Sequence, residues 1–229
     1  MTQSSSTHTS RAAVCATSFR HCGLAGLVGL LGLFGGCTAS LLPKPPQQPA
    51  LYALNDTAPA KLVAPAQRAA AAVSKPTLLV NPPRAAAGFD TRHIVYLRQA
   101  NQIEYFADSQ WVDTPAQMLA PLIARAIERS GAFNAVLLAP TAAAGEMRLD
   151  TEVIRLQQDF GMAPSQVRFT LRAVLLDSRT RRVIAVREFD ASVPAATEDA
   201  TGGVAAANLA VQRVLDELAG FAAKAAEAP

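Results

Sequence analysis

Few side chains in this chain of 229 residues are of a type and spacing that could do chemistry. The most distinctive is Cys37, a thiol that closes the apolar run Gly23 to Cys37 directly after Gly35 and Gly36. Its thiolate is a nucleophile, and two residues without side chains before it let an enzyme approach the backbone there. Cys15 and Cys22 lie upstream in the same leader, so no internal disulfide is expected beyond residue 37. His93 is the only histidine after the leader. A zinc site needs about four ligands, and one histidine without a free thiol does not make a His/Cys set. As a general base His93 would need a nucleophile, and no serine sits in a glycine-flanked elbow; its place at the head of an apolar run reads as a strand-end histidine. Thr201-Gly202-Gly203 has neither the spacing nor the lysine of a phosphate-binding loop. Asp150 with Glu152, and Glu198 with Asp199, are the paired carboxylates that acid–base catalysis would use, and a solvated surface accounts for both pairs. The expectation is a chain that is not an enzyme and that holds no metal or cofactor.

Binding chemistry has better candidates. Trp111 is the only tryptophan, with Tyr105 and Phe106 just before it and Tyr96 in the preceding apolar run. It reads either as a core aromatic covering the edge of a sheet or as an exposed anchor for another protein, since Trp and Tyr are favoured at interaction hot spots. Trp111, Tyr105 and Tyr96 are therefore the candidate partner-binding residues. Arg179, Arg181 and Arg182 form the only tight basic cluster. A nucleic-acid partner would want a basic stripe, and this cluster reads instead as a solvated hairpin turn, so no nucleic-acid partner is expected.

The leader is what positions Cys37. Arg11, Arg20 and His21 precede the apolar run and no acidic residue does, which is the layout of a secretory signal. The run is too short and too rich in glycine for a bilayer core that needs roughly twenty apolar residues. Leu33-Phe34-Gly35-Gly36-Cys37 resembles a bacterial lipobox, in which a signal peptidase cuts before a cysteine that has received a diacylglyceryl group; Phe34 stands where the pattern usually has Leu. The resemblance implies a lipoprotein signal peptide over residues 1–36 and lipidation at Cys37, with covalent diacylglyceryl and N-acyl chains such as palmitate. Because residue 38 is Thr rather than Asp, it also implies export to the outer membrane, with the domain lipid-anchored on the periplasmic face. Two or more acyl chains hold a protein stably where one does not.

Residues 37–76 read as the lipidated cysteine and a Pro/Ala-rich tether. Pro43, Pro45, Pro46, Pro49, Pro59, Pro65 and Pro76 fix φ and remove donors, which favours extended, semi-rigid chain. Within it Leu51-Tyr52-Ala53-Leu54 has period-two character and reads either as tether or as an edge strand. Half of all residues are apolar and 17% are charged, which suits a globular domain, here expected over residues 77–225. The net charge of +3 includes two arginines of the leader, so the mature chain is close to neutral.

Along that domain, Thr77 to Val80 predicts a short strand. His93 to Arg98 and Gln102 to Ala107 predict a hairpin turning at Gln99-Ala100-Asn101. Thr114 as cap, Pro115 at the first helical position and Gln117 predict a helix. Its apolar stripe is Met118, Leu119, Leu122, Ile123, Ala126 and Ile127, with Gly131 as stop. Phe133 to Leu138 returns as a strand. Met147 to Asp159, Gln166 to Asp177 and Arg182 to Val193 predict a meander of long strands; in the middle one Val167, Phe169, Leu171, Ala173 and Leu175 share a face opposite Arg168, Thr170 and Arg172. After a loop over 195–203, Val204, Ala207, Val211, Val214, Leu215 and Leu218 mark a final helix capped by Asp199 or Thr201. The order gives an α+β fold, an antiparallel or mixed β-sheet with two helices packed on one face.

The features from Tyr52 onward are similar to those of the ABC-type transport auxiliary lipoproteins, the PqiC-like family. These are the Tyr-x-Leu after the cysteine, Leu79-Val80, Ile94-Val95-Tyr96, Ile103-Glu104-Tyr105-Phe106, Trp111, the unit from Met118-Leu119 to Phe133, the meander and the Ala-rich last helix. The resemblance implies a non-catalytic outer-membrane lipoprotein accessory subunit of an ABC/MCE-type intermembrane lipid transport system. Its implied partners are a periplasmic MCE-domain protein and its ABC permease and ATPase, reached from the membrane by the lipid anchor; a homo-oligomer is left open. Two other readings stand beside it. One is an envelope-assembly lipoprotein that supports an outer-membrane barrel or binds lipopolysaccharide. The other is a periplasmic enzyme, which predicts a pocket converging on His93.

Overall fold

One long strand organises the sheet. In the computed structural model residues 48–55 and 75–227 are described; the leader, Cys37 and most of the tether lie outside the described residues. Strand β7 (Met147–Asp159) pairs along one whole edge with β8 (Gln166–Asp177), antiparallel from Met147 opposite Asp177 to Asp159 opposite Gln166. Its other edge is shared by three short strands that run parallel to it. These are β2 (Thr77–Val80) at its start, β3 (Arg84–Ala85) at Glu152 and Val153, and β4 (His93–Leu97) at Gln158 and Asp159. Beyond β2 lies β6 (Ala135–Leu138), parallel; beyond β4 lies β5 (Ile103–Trp111), antiparallel, and then β1 (Ala50–Tyr52), parallel to the end of β5. β9 (Val183–Pro194) flanks β8 on the far side. The nine-stranded sheet is therefore mixed, and with α1 (Pro115–Ser130) and α2 (Ala200–Glu227) the fold is α+β, as the pattern of elements predicted.

Period-two patterning fixes which side of the sheet is covered. On β7, Met147, Leu149, Thr151 and Val153 are buried. A bulge between Val153 and Arg155 shifts the phase, so that Leu156 and Gln158 continue the same face. β8 adds Val167, Phe169, Leu171, Ala173 and Leu175, with Arg168 and Arg172 exposed on the opposite side. The two helices join these side chains in one core, where each fully buried large aliphatic contributes roughly 1.5–3 kcal/mol.

Local signals set the helix ends. Thr114 Oγ1 accepts from Gln117 N at 3.5 Å, and Gly131 takes φ 67° as the C-cap. The α1 stripe is buried as its spacing requires, except Met118, which is half-buried. Of the two caps considered for α2, Asp199 is the one used: its Oδ1 accepts from Gly202 N at 2.8 Å and from Thr197 Oγ1 at 2.8 Å. The helix consequently begins at Ala200, inside the stretch expected to be loop.

The other departures have tertiary causes. β5 runs four residues past Ala107, because Ser109, Gln110 and Trp111 are paired to β1 and to His93. Of the segment Leu51–Leu54, Leu51 and Tyr52 join Ala50 in the edge strand, where Tyr52 O accepts from Val112 N at 2.8 Å, and Leu54 is buried just beyond it. β3 was not foreseen; two residues are too few to show a period, and an open stretch of the β7 edge specifies it. β6 starts at Ala135 rather than Phe133, which goes into the core. β9 starts at Val183 rather than Arg182. The turn before it holds Arg181 at φ 59°, with Asp177 Oδ1 accepting from Thr180 N and Oγ1 at 2.6 and 2.7 Å.

Candidate functional site

Two of the three aromatic candidates are interior. Trp111 ends β5 and is 2% exposed. Its N–H donates to Arg92 O at 2.8 Å and its carbonyl accepts from Arg92 Nε at 3.2 Å. The ring faces a cavity of about 10 Å³ shared with Ile94, Leu156, Val167, Gly203 and Ala207, room for about one water. Trp111 is thus the core aromatic of the two alternatives; an exposed anchor is ruled out for this side chain because the first turns of α2 cover it.

Tyr96 is also corrected from surface anchor to interior residue, at 8% exposed. Its hydroxyl donates to Glu104 Oε2 at 2.9 Å, and that bond, helped by burial, holds the phenol above its ordinary pKa. Phe106 and Phe160 stack around it at centroid distances of 4.7 and 5.6 Å, and the Arg98 guanidinium lies 5.2 Å from the ring centre. The first strand of the hairpin has apolar residues on both faces, so its sequence did not show that Tyr96 turns inward.

Tyr105 is the candidate that remains on the surface, 45% exposed beside Ile103 at 41%. Its ring lies 4.9 Å from that of His93, which is exposed at the head of β4 and meets Thr91 Oγ1 at 2.9 Å through Nδ1. Gly88, at φ 90°, lies against Ile103; a Cβ there would sit 3.2 Å from its Cδ1. Tyr105, Ile103 and His93 form one aromatic and aliphatic patch on the β4–β5 hairpin.

The acidic pairs resolve into structural contacts. Asp150 accepts from Asn81 Nδ2 at 2.6 Å and pairs with Arg148 at 3.1 Å. Glu198 Oε1 accepts from Ser165 N at 2.9 Å. Asp199 caps α2, and the Gly202 amide keeps its carboxyl below the ordinary value. Glu152 is half-buried opposite Arg172. The cavity beside Trp111 has Ile94, not His93, in its wall. Among the described residues no group of three or more His, Cys, Asp or Glu is placed to hold a metal, and no helix is long and apolar enough to cross a membrane.

One buried polar group was not singled out from the sequence. Gln158 is 2% exposed; its Nε2 donates to Ser165 Oγ at 2.8 Å, while Oε1 finds no donor and lies against Gly203. A signal existed, because Gln158 occupies a core position of β7 once the bulge is counted. The bulge itself is invisible to simple alternation.

The geometry defines a class: an α+β module that leaves an aromatic and aliphatic patch exposed on a sheet hairpin, with its acidic and aromatic candidates mostly committed to holding the fold. The chain belongs to the ABC-type transport auxiliary lipoprotein component family, which it matches over residues 52–219, from β1 to the last turns of α2. No curated relative matches it. The crystal structure of protein XCC0632 from Xanthomonas campestris is similar, with 26% identity and a TM-score of 0.62 over 78% of this chain and 94% of that one. A crystal structure of an uncharacterized protein shares the fold at 11% identity, with a TM-score of 0.58 over 76% of this chain and 99% of that one.

Proposed function

We propose that this chain is the non-catalytic outer-membrane accessory subunit of an ABC/MCE-type intermembrane lipid transport system, anchored through lipids on Cys37 and docking on the periplasmic MCE-domain component. The observation that carries the reading is the family match, which spans the domain from its edge strand to its last helix. In support, the Tyr105, Ile103 and His93 patch offers an aromatic contact of the kind favoured at protein interfaces. The lipid chains on Cys37 keep the domain at the membrane, and the proline-rich residues after it connect the two.

The test is a photoreactive amino acid at Tyr105 in intact envelopes, with the trapped protein identified by mass spectrometry. An adduct with the MCE-domain protein is the expected result. Adducts only with an outer-membrane barrel would reject it in favour of a role in envelope assembly. The anchor is tested separately: metabolic labelling with palmitate marks the chain, and Cys37→Ser abolishes the label and releases the protein from the membrane fraction.

A further inference from the structure

The far end of the β8–β9 hairpin carries side chains that the transport reading does not use. Residues 178–186 hold Arg179, Arg181 and Arg182 and no acidic residue, and all three arginines are exposed. Val183, Ile184 and Val186 follow at once, 55%, 41% and 50% exposed. In register, Leu176 stands opposite Val183 and Val174 opposite Val186. Since Ala173 and Leu175 face the core, Val174 and Leu176 lie on the side away from the helices, where they extend the aliphatic patch. Asp177, which precedes the turn, accepts from Thr180 N and Oγ1 and also meets the Arg179 charge.

A protein strand adding to this edge is disfavoured by the structure itself. At one end Arg213 reaches over β9 and donates to Ser192 O at 3.4 Å. At the other a register shift opposite Leu175 and Leu176 interrupts the ladder. Both are devices that blunt a sheet edge. What stays accessible is the side-chain chemistry, guanidinium groups that suit phosphate oxygens directly beside aliphatic groups.

We propose that this hairpin end is a peripheral contact for an anionic lipid surface. Arg179, Arg181 and Arg182 meet the headgroup phosphates, and Val183, Ile184 and Val186 enter the boundary with the acyl chains. The site is distinct from the anchor and from the Tyr105 patch. That patch lies at the Asp159 end of the β7–β8 ladder, whose length at about 3.4 Å per residue puts the two ends roughly 35–40 Å apart.

The described strands and helices share one core, and the chain from Thr38 onward contains all of them. This chain is floated with vesicles of phosphatidylcholine containing about 30% phosphatidylglycerol, and with pure phosphatidylcholine, at low salt. Binding to the anionic vesicles alone is expected, falling as salt rises. Each arginine near such a surface contributes about 1 kcal/mol, so replacing all three by Gln should weaken binding on the order of 100-fold. Ile184→Asp with Val186→Asp should weaken it at unchanged arginine content, with far-UV circular dichroism confirming the fold. The proposal is overturned by no binding to anionic vesicles, by equal binding to neutral ones, or by binding that both sets of substitutions leave intact. None of these outcomes bears on which protein is trapped at Tyr105, so the transport reading stands or falls separately.

Discussion

The contact between Gly203 and Gln158 makes the sharpest quantitative demand on the structure. A Cβ at Gly203 would lie 2.1 Å from Gln158 Oε1 and 2.9 Å from its Cδ. A long side chain normally steps aside, but this one is 2% exposed, tied to Ser165, and has a cavity of only about 10 Å³ beside it. In an ordinary helix Gly→Ala gains up to about 1 kcal/mol. Here overpacking costs about 1–3 kcal/mol and loss of the Ser165 bond a further 0.5–1.5 or so, so Gly203→Ala should destabilise by about 2 kcal/mol. In a Gln158→Ala background the obstruction is gone, and the same substitution should stabilise by up to about 1 kcal/mol. The sign reversal implies a coupling near 3 kcal/mol, measured by urea denaturation of the four chains of a double-mutant cycle. If Gly203→Ala raises the urea midpoint in the parent chain, or if the two effects add to within about 0.5 kcal/mol, the packing described around α2 is wrong.

Three further outcomes follow from the same contacts. Trp111→Ala should lower stability by about 3–5 kcal/mol, whereas Tyr105→Ser should change it by less than about 0.5; similar small losses from both would mean that Trp111 is not covered. Asn208 accepts from Asn55 N at 2.7 Å and donates to Ala53 O at 3.4 Å, fastening the residues after β1 to α2. Asn208→Ala should speed hydrogen exchange at Asn55 and Val112 and leave β7 and β8 unchanged, and uniform acceleration would contradict a local fastening. Finally, Glu146, Asp177, Asp190 and Asp199 all titrate below their ordinary values of 4.5 for Glu and 3.8 for Asp. For Asp190, burial pushes upward but Arg168 and Thr170 outweigh it; for the others backbone amides lead. A lowered folded pKa gives stability that is complete above the unfolded value and is lost as the pH falls through the folded one. The urea midpoint should therefore be level from pH 7 to about 5 and decline below it; a midpoint that holds or rises toward pH 3 would refute these assignments.

Much of the architecture is set by local chemistry, and it could be read without coordinates. The Thr114-Pro115 start and Gly131 stop frame α1 because caps act within one turn, and the alternation from Val167 to Leu175 marks a strand covered on one side because neighbouring side chains point to opposite faces. The family to which the features from Tyr52 onward belong, and the lipidation proposed at Cys37, are likewise read from sequence pattern. Tertiary contacts decided the rest. β3 and the end of β5 exist because a partner strand stands beside them, not because their residues favour extension. The choice among Tyr96, Tyr105 and Trp111 depended on which ring the first turns of α2 and the Phe160 loop happened to cover. Gln158 became interior only when a one-residue bulge in β7 turned it inward, and a shift of one residue in a strand exchanges its two faces without leaving a mark in composition.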